Sequence, residues 1–160
     1  MPSHRARATL LAALALGACD TFGHRPAVEV SAADANLNTR WHATLASPRS
    51  LAGAVQMSGD ATMAPAADGR TTVTLALANA TAGGRHPWQV HLGQCGTDQG
   101  LLGAATAYAP LEVDGDGRAS ATATLPLATP VTGPYFVSVQ ASSGNAGTVV
   151  ACGNLAPPAR

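Results

Sequence analysis

The 160-residue chain contains no lysine, and its nine basic residues, all arginine, are matched by nine acids. A formal net charge of zero leaves no basic footprint for nucleic acid and no polybasic patch for anionic lipid. Charged residues make up only 11% of the chain and aromatics only 4%. Abundant Ala, Thr and Ser in their place suit small-residue β-sheets better than salt-bridged surface helices. No apolar run approaches the roughly twenty residues that a membrane-spanning helix takes. Gly and Pro, at 17 and 11, are ordinary in number, which excludes a collagen-like or low-complexity chain. Beyond residue 20 no segment sustains a helical period over the length of a helix. G-x-S-x-G, H-E-x-x-H, Walker and C-x-x-C motifs are all missing, so hydrolase, zinc-protease, nucleotide and dithiol chemistry have no motif to rest on. No Ser/His/Asp set can be nominated. Asp and Glu fall mainly in turns and give no acid pair for glycoside hydrolysis. The length fits one domain.

What is present begins with an address. Arg5 and Arg7 form a positive n-region, and Thr9 to Ala18 form an apolar run of about ten residues, half of what a bilayer crossing needs. The run ends in Leu16-Gly17-Ala18-Cys19, which resembles a bacterial lipobox. The resemblance implies cleavage before Cys19 and lipid on its sulfur, the small residues Gly17 and Ala18 fitting the peptidase pocket. Two or three acyl chains give stable anchoring. The organisation read from this is a signal peptide over 1–18, a lipidated Cys19 with a tether over 19–39, a β domain over 40–157 and a tail over 158–160. The location is the bacterial cell envelope, periplasmic or outer face, with membrane lipid as partner through Cys19. From Cys19 onward seven Arg face nine acids, a slightly acidic balance.

The remainder reads as short strands. Val73, Leu75 and Leu77 alternate with Thr72, Thr74 and Ala76. Ala119, Ala121, Ala123 and Leu125 alternate with Ser120, Thr122 and Thr124, and Tyr135, Val137 and Val139 alternate with Phe136, Ser138 and Gln140. A period of two with one apolar face is a strand signal. Further strands are expected near 41–46, 52–58, 86–92, 109–113 and 148–152. Turn signals lie at Ser58-Gly59-Asp60, Asp68-Gly69, Gly83-Gly84, Asp114-Gly115-Asp116-Gly117 and Gly144-Asn145. Short strands at this spacing predict an all-β antiparallel sandwich or Greek-key barrel. With Cys19 taken by lipid, Cys95 and Cys152 are expected to pair in an oxidising compartment. That bond closes a loop of about 58 residues, worth on the order of 4 kcal/mol in the chain-entropy model.

Gly144-Asn145-Ala146-Gly147-Thr148-Val149-Val150-Ala151-Cys152-Gly153 resembles the C-terminal signature of Cu/Zn superoxide dismutases, GNAGxRxACG. His86-Pro87-Trp88-Gln89-Val90-His91 resembles that family's first copper-ligand strand, H-G-F-H-V-H, and Tyr135 to Gln140 sits where a later ligand strand ends in His. The similarity covers roughly residues 50–155. It implies the family's Greek-key β-sandwich and places Cys95 and Cys152 at its intrasubunit disulfide. Only three residues separate His91 from Cys95, fewer than the family usually has.

The family's chemistry does not accompany its signature. A copper site needs several imidazoles on one ion. Of the positions the resemblance assigns to copper, only His91 is histidine; Gln89 and Gln140 stand at others, and Val149 stands where the family has its active-site Arg. Residues 96–117, where bridging and zinc ligands belong, hold no His. Strand parity puts Gln89 and His91 on one face and Gln140 on the corresponding face of its strand, a polar patch in place of a metal site. His86 lies on the opposite face of a regular strand from His91, although Pro87 can break the strand. His86, His42, Met57 or Met63 could add copper donors to His91; His24 lies in the tether. Asp114-Gly115-Asp116-Gly117 begins like a calcium loop, but Arg118 and Leu125 occupy later ligand places, so a hairpin turn is expected.

The expectation is a membrane-anchored, exported lipoprotein with a superoxide dismutase-like β-sandwich, non-catalytic and without cofactor. It would serve as a structural or interaction module of the envelope, with an envelope protein partner left open. The alternative is a copper-binding or residual dismutase-type protein using His91. A third reading is an Ig-like adhesin whose Ala-Cys-Gly ending is accidental.

Overall fold

The computed structural model describes residues 39–51 and 56–158. The expected signal peptide (1–18), lipidated Cys19 and tether (19–39) lie outside them, save residue 39. Among the described residues, no helix is long and apolar enough to cross a membrane.

The described chain is all-β. Its strands are β1 (Trp41–Ala46), β2 (Ser58–Pro65), β3 (Thr71–Ala78), β4 (Arg85–His86), β5 (Trp88–Gln94), β6 (Thr97–Leu101), β7 (Leu111–Glu112), β8 (Ala119–Leu125), β9 (Tyr135–Ser142) and β10 (Asn145–Leu155). Eight form one curled antiparallel sheet in the order β6-β5-β9-β10-β1-β2-β3-β8, and β4 pairs with β7 in a small second sheet.

Alternation explains most of this sheet. Trp41, Ala43 and Leu45 of β1 are buried while His42, Thr44 and Ala46 are exposed. On β3 the buried Val73, Leu75 and Leu77 stand opposite Ala123, Ala121 and Ala119 of β8, so large side chains on one strand meet small ones on the next. The outer face is knit by hydroxyls, with Thr62 and Thr74 Oγ1 atoms 2.6 Å apart. The two tryptophans close the core with polar handles satisfied. Trp41 Nε1 donates to the Pro130 carbonyl at 2.9 Å, and Trp88 Nε1 to that of Ala109 at 2.7 Å. Trp88 meets Tyr108 edge-on at 5.2 Å.

The strand expected near 52–58 is instead β2, Ser58–Pro65; residues 52–55 lie outside the described chain. Ser58-Gly59-Asp60 is therefore strand and not turn. Gly59 is there because a Cβ would run into the Ala76 carbonyl oxygen of β3, a close-approach glycine that mimics a turn signal in sequence. Strand β6 has no counterpart among the strands the sequence predicts; its residues Thr97–Gly100 are all exposed and carry no apolar face to betray it. Pro87 does interrupt the 86–92 segment: the chain leaves the small sheet at His86 and enters the large one at Trp88. Asp114 closes its turn by accepting from the Asp116 and Arg118 N–H groups, both at 2.9 Å.

Candidate functional site

Strand β9 breaks the alternation. Phe136, Val137, Ser138, Val139 and Gln140 are all buried. Val137 and Val139 belong to the core, so Phe136, Ser138 and Gln140 must be covered on the other face. That cover is the site.

Register brings the polar residues together. Gln89 on β5 pairs with Ser138 on β9, and His91 pairs with Phe136. The Gln140 N–H donates to the Pro87 carbonyl at 2.8 Å, continuing the same ladder. On the far side of β9, Val149 pairs with Gln140 and Cys152 with Ser138. A half-open cavity of about 420 Å³ lies above these strands, lined by Gln89, His91, Asp98, Ser138, Gln140 and Val149 among others. The three residues of the expected polar patch thus share one cavity.

His91 is 9% exposed. Its ring stacks on Phe136 at 5.1 Å between centroids, 20° from parallel. Asp98 of β6 places Oδ2 3.0 Å from His91 Nδ1. The carboxylate lies off the N–H direction, so the contact is an ion-pair approach rather than a directed hydrogen bond. The Asp98 carboxyl is held below the usual carboxylate range, chiefly by the Gly100 N–H donating to it at 2.8 Å, with burial opposing and His91 adding to the effect. Gln140, 6% exposed, donates from Nε2 to Ser138 Oγ at 3.0 Å. His91 Nε2 and Gln140 Oε1 are buried without a hydrogen-bond partner.

The other candidate donors are elsewhere. His86 is buried, its Nδ1 3.0 Å from the Gln140 carbonyl, and it does not line the cavity. His42 is exposed on β1, while Met57 and Met63 are core residues. His24 lies outside the described residues. Among those described, no three His, Cys, Asp or Glu side chains gather as a metal cluster would.

Cys95 and Cys152 form a disulfide that ties the β5–β6 turn to β10. Beside it a second cavity of about 460 Å³ includes Arg49 and shares Gly96, Phe136 and Val149 with the first.

Nothing in the sequence marks Asp98 or Ser138 as site residues. Ser138 alternates with Val137 and Val139 and looks like any outward hydroxyl. Asp98 follows Gly96, whose φ of +88° permits the tight turn that sends β6 back along β5. Gly93 and Gly96 flanking Cys95 are the sequence trace of that hairpin.

No protein-family model matches this chain, and no curated protein matches it.

Proposed function

We propose that this protein is a lipid-anchored, exported β-domain that binds rather than catalyses, an interaction module of the bacterial envelope held by Cys19. Its fold is read as the Greek-key sandwich of the Cu/Zn superoxide dismutases, with the family's metal position replaced by a polar cavity. One observation carries the reading: among the described residues lining that cavity His91 is the sole imidazole, and Gln89 and Gln140 lie beside it. Fold alone sets no activity.

Copper is the cofactor the resemblance implies, and the donor set does not fit it. One imidazole, a carboxylate already beside its Nδ1, and two amides are a weak set for an ion that selects several imidazoles or soft sulfur. The second reading, copper held by His91, is favoured by one feature. A metal-bound imidazole commonly has its other nitrogen facing a carboxylate, as Asp98 faces Nδ1 here, with Nε2 unpartnered.

Superoxide consumption by the full-length chain, supplied with copper and zinc, separates the two. The proposed function predicts the rate of unbound metal alone. A saturable rate above it that vanishes in His91→Ala establishes the second reading instead.

A further inference from the structure

The cavity over β5 and β9 carries an excess of acceptors. The Asp98 carboxylate, 3.0 Å from His91 Nδ1, draws the proton of the neutral ring to that nitrogen through its charge rather than through a directed hydrogen bond, and Nε2 keeps its lone pair. Gln140 uses its N–H on Ser138 Oγ, which leaves Oε1 as a bare acceptor. Both atoms are buried and neither has a partner. An unmet buried polar atom is costly, and these two belong to neighbouring strands that wall one cavity.

The charge points the same way. Asp98 is the sole formally charged side chain among the described lining residues. Its carboxylate is kept ionised by the Gly100 N–H. Arg49 belongs to the neighbouring cavity and not to this one. Two lone pairs, one carboxylate and no cation are complemented by a group rich in N–H donors and positively charged. About 420 Å³ admits a small molecule.

We propose that this cavity binds a small primary ammonium, with His91 Nε2 and Gln140 Oε1 accepting its N–H donors and Asp98 balancing its charge. The inference rests on the binding-module reading above. Both acceptors are sealed from bulk solvent, so engagement takes a rotation of the Gln140 amide, which gives up its bond to Ser138 Oγ, and a tilt of the His91 ring on Phe136.

The test uses the full-length chain with ¹⁵N-labelled histidine, titrated with propylammonium, propanol and propionate, three probes of nearly equal size. Propylammonium should shift the His91 Nε2 resonance saturably and leave that of His86 in place. Gln140→Leu and Asp98→Asn should each weaken binding by about five-fold or more, as loss of a charge-assisted contact does. Asp98 is half exposed, so its variant leaves the buried face of β9 untouched if Gln140→Leu fails to fold. Equal binding of propionate or propanol overturns the proposal, as does a His91 resonance that no probe moves. If the probes are silent but superoxide is not consumed, the ammonium site alone is lost. If copper-dependent consumption appears, the binding-module reading falls with it.

Discussion

Cys95 and Cys152 are bonded across a sequence separation of 57 residues. Cys152 is also the register partner of Ser138 on β9 and of Ala46 on β1, so one bond locks the β5–β6 turn onto the middle of the sheet beside the cavity. The Cys95 N–H adds a hydrogen bond to Asn154 Oδ1 at 2.8 Å. A loop of this size makes the disulfide worth about 4 kcal/mol through the unfolded chain. Urea unfolding with and without reductant should show that loss as a lower midpoint, with a steeper slope on reduction because the uncross-linked unfolded chain exposes more surface. An unmoved midpoint contradicts the assignment of the bond as a main brace.

Two glycines of the 144–153 segment should answer differently to alanine. A Cβ at Gly153 would lie 2.5 Å from the Thr44 carbonyl oxygen and 3.1 Å from Leu45 Cγ. β1 cannot retreat without breaking the Ala46–Cys152 pairing, so Gly153→Ala should cost about 1–3 kcal/mol as overpacking. At Gly147 a Cβ meets nothing within 4 Å, and Gly147→Ala should leave the unfolding midpoint in place. Equal effects at the two positions would refute the close-approach account of Gly153.

Tyr108 should make the domain sensitive to alkali. Burial pushes its pKa from 10.0 up to about 12, and its hydroxyl donates to the Leu102 carbonyl at 2.6 Å. Below pH 10.0 both folded and unfolded states keep the proton and the group's stabilisation is complete. Between 10.0 and about 12 the unfolded state loses the proton first, and stability falls by about 2–3 kcal/mol across the window. Tyrosinate absorbance should report the late titration, and Tyr108→Phe should flatten this part of the pH–stability curve. A titration near 10.0 for Tyr108 would contradict it.

The sequence made the sheet legible where one face is wet and the other dry. β1, β3 and β8 alternate cleanly because each has such a pair of faces. β9 has two covered faces, so the burial of Ser138 and Gln140 could not be inferred from its pattern. β6 has no apolar face, and its pairing with β5 depends on Gly93 and Gly96 bending the chain. The polar patch of Gln89, His91 and Gln140 was legible because strand parity fixes which residues share a face. The carboxylate that completes it came from β6, the strand with no signal. Gly59 shows the opposite failure: a glycine required by the Ala76 carbonyl reads in sequence like one required by a turn.

Anchoring is tested at Cys19. Cells making the full chain should incorporate labelled fatty acid into it, and the protein should fractionate with membranes. Cys19→Ser should abolish the label and release the protein to the soluble fraction. An unlabelled wild type, or a Cys19→Ser chain that stays membrane-bound, removes the lipoprotein element of the account.

The most direct measurement is copper bound per chain by equilibrium dialysis of the full-length protein with its disulfide intact, beside His91→Ala. The expected result is substoichiometric copper that the substitution does not change, because one imidazole flanked by Gln89 and Gln140 is a poor ligand set. One copper per chain, lost in His91→Ala, would contradict it and make this cavity a metal centre.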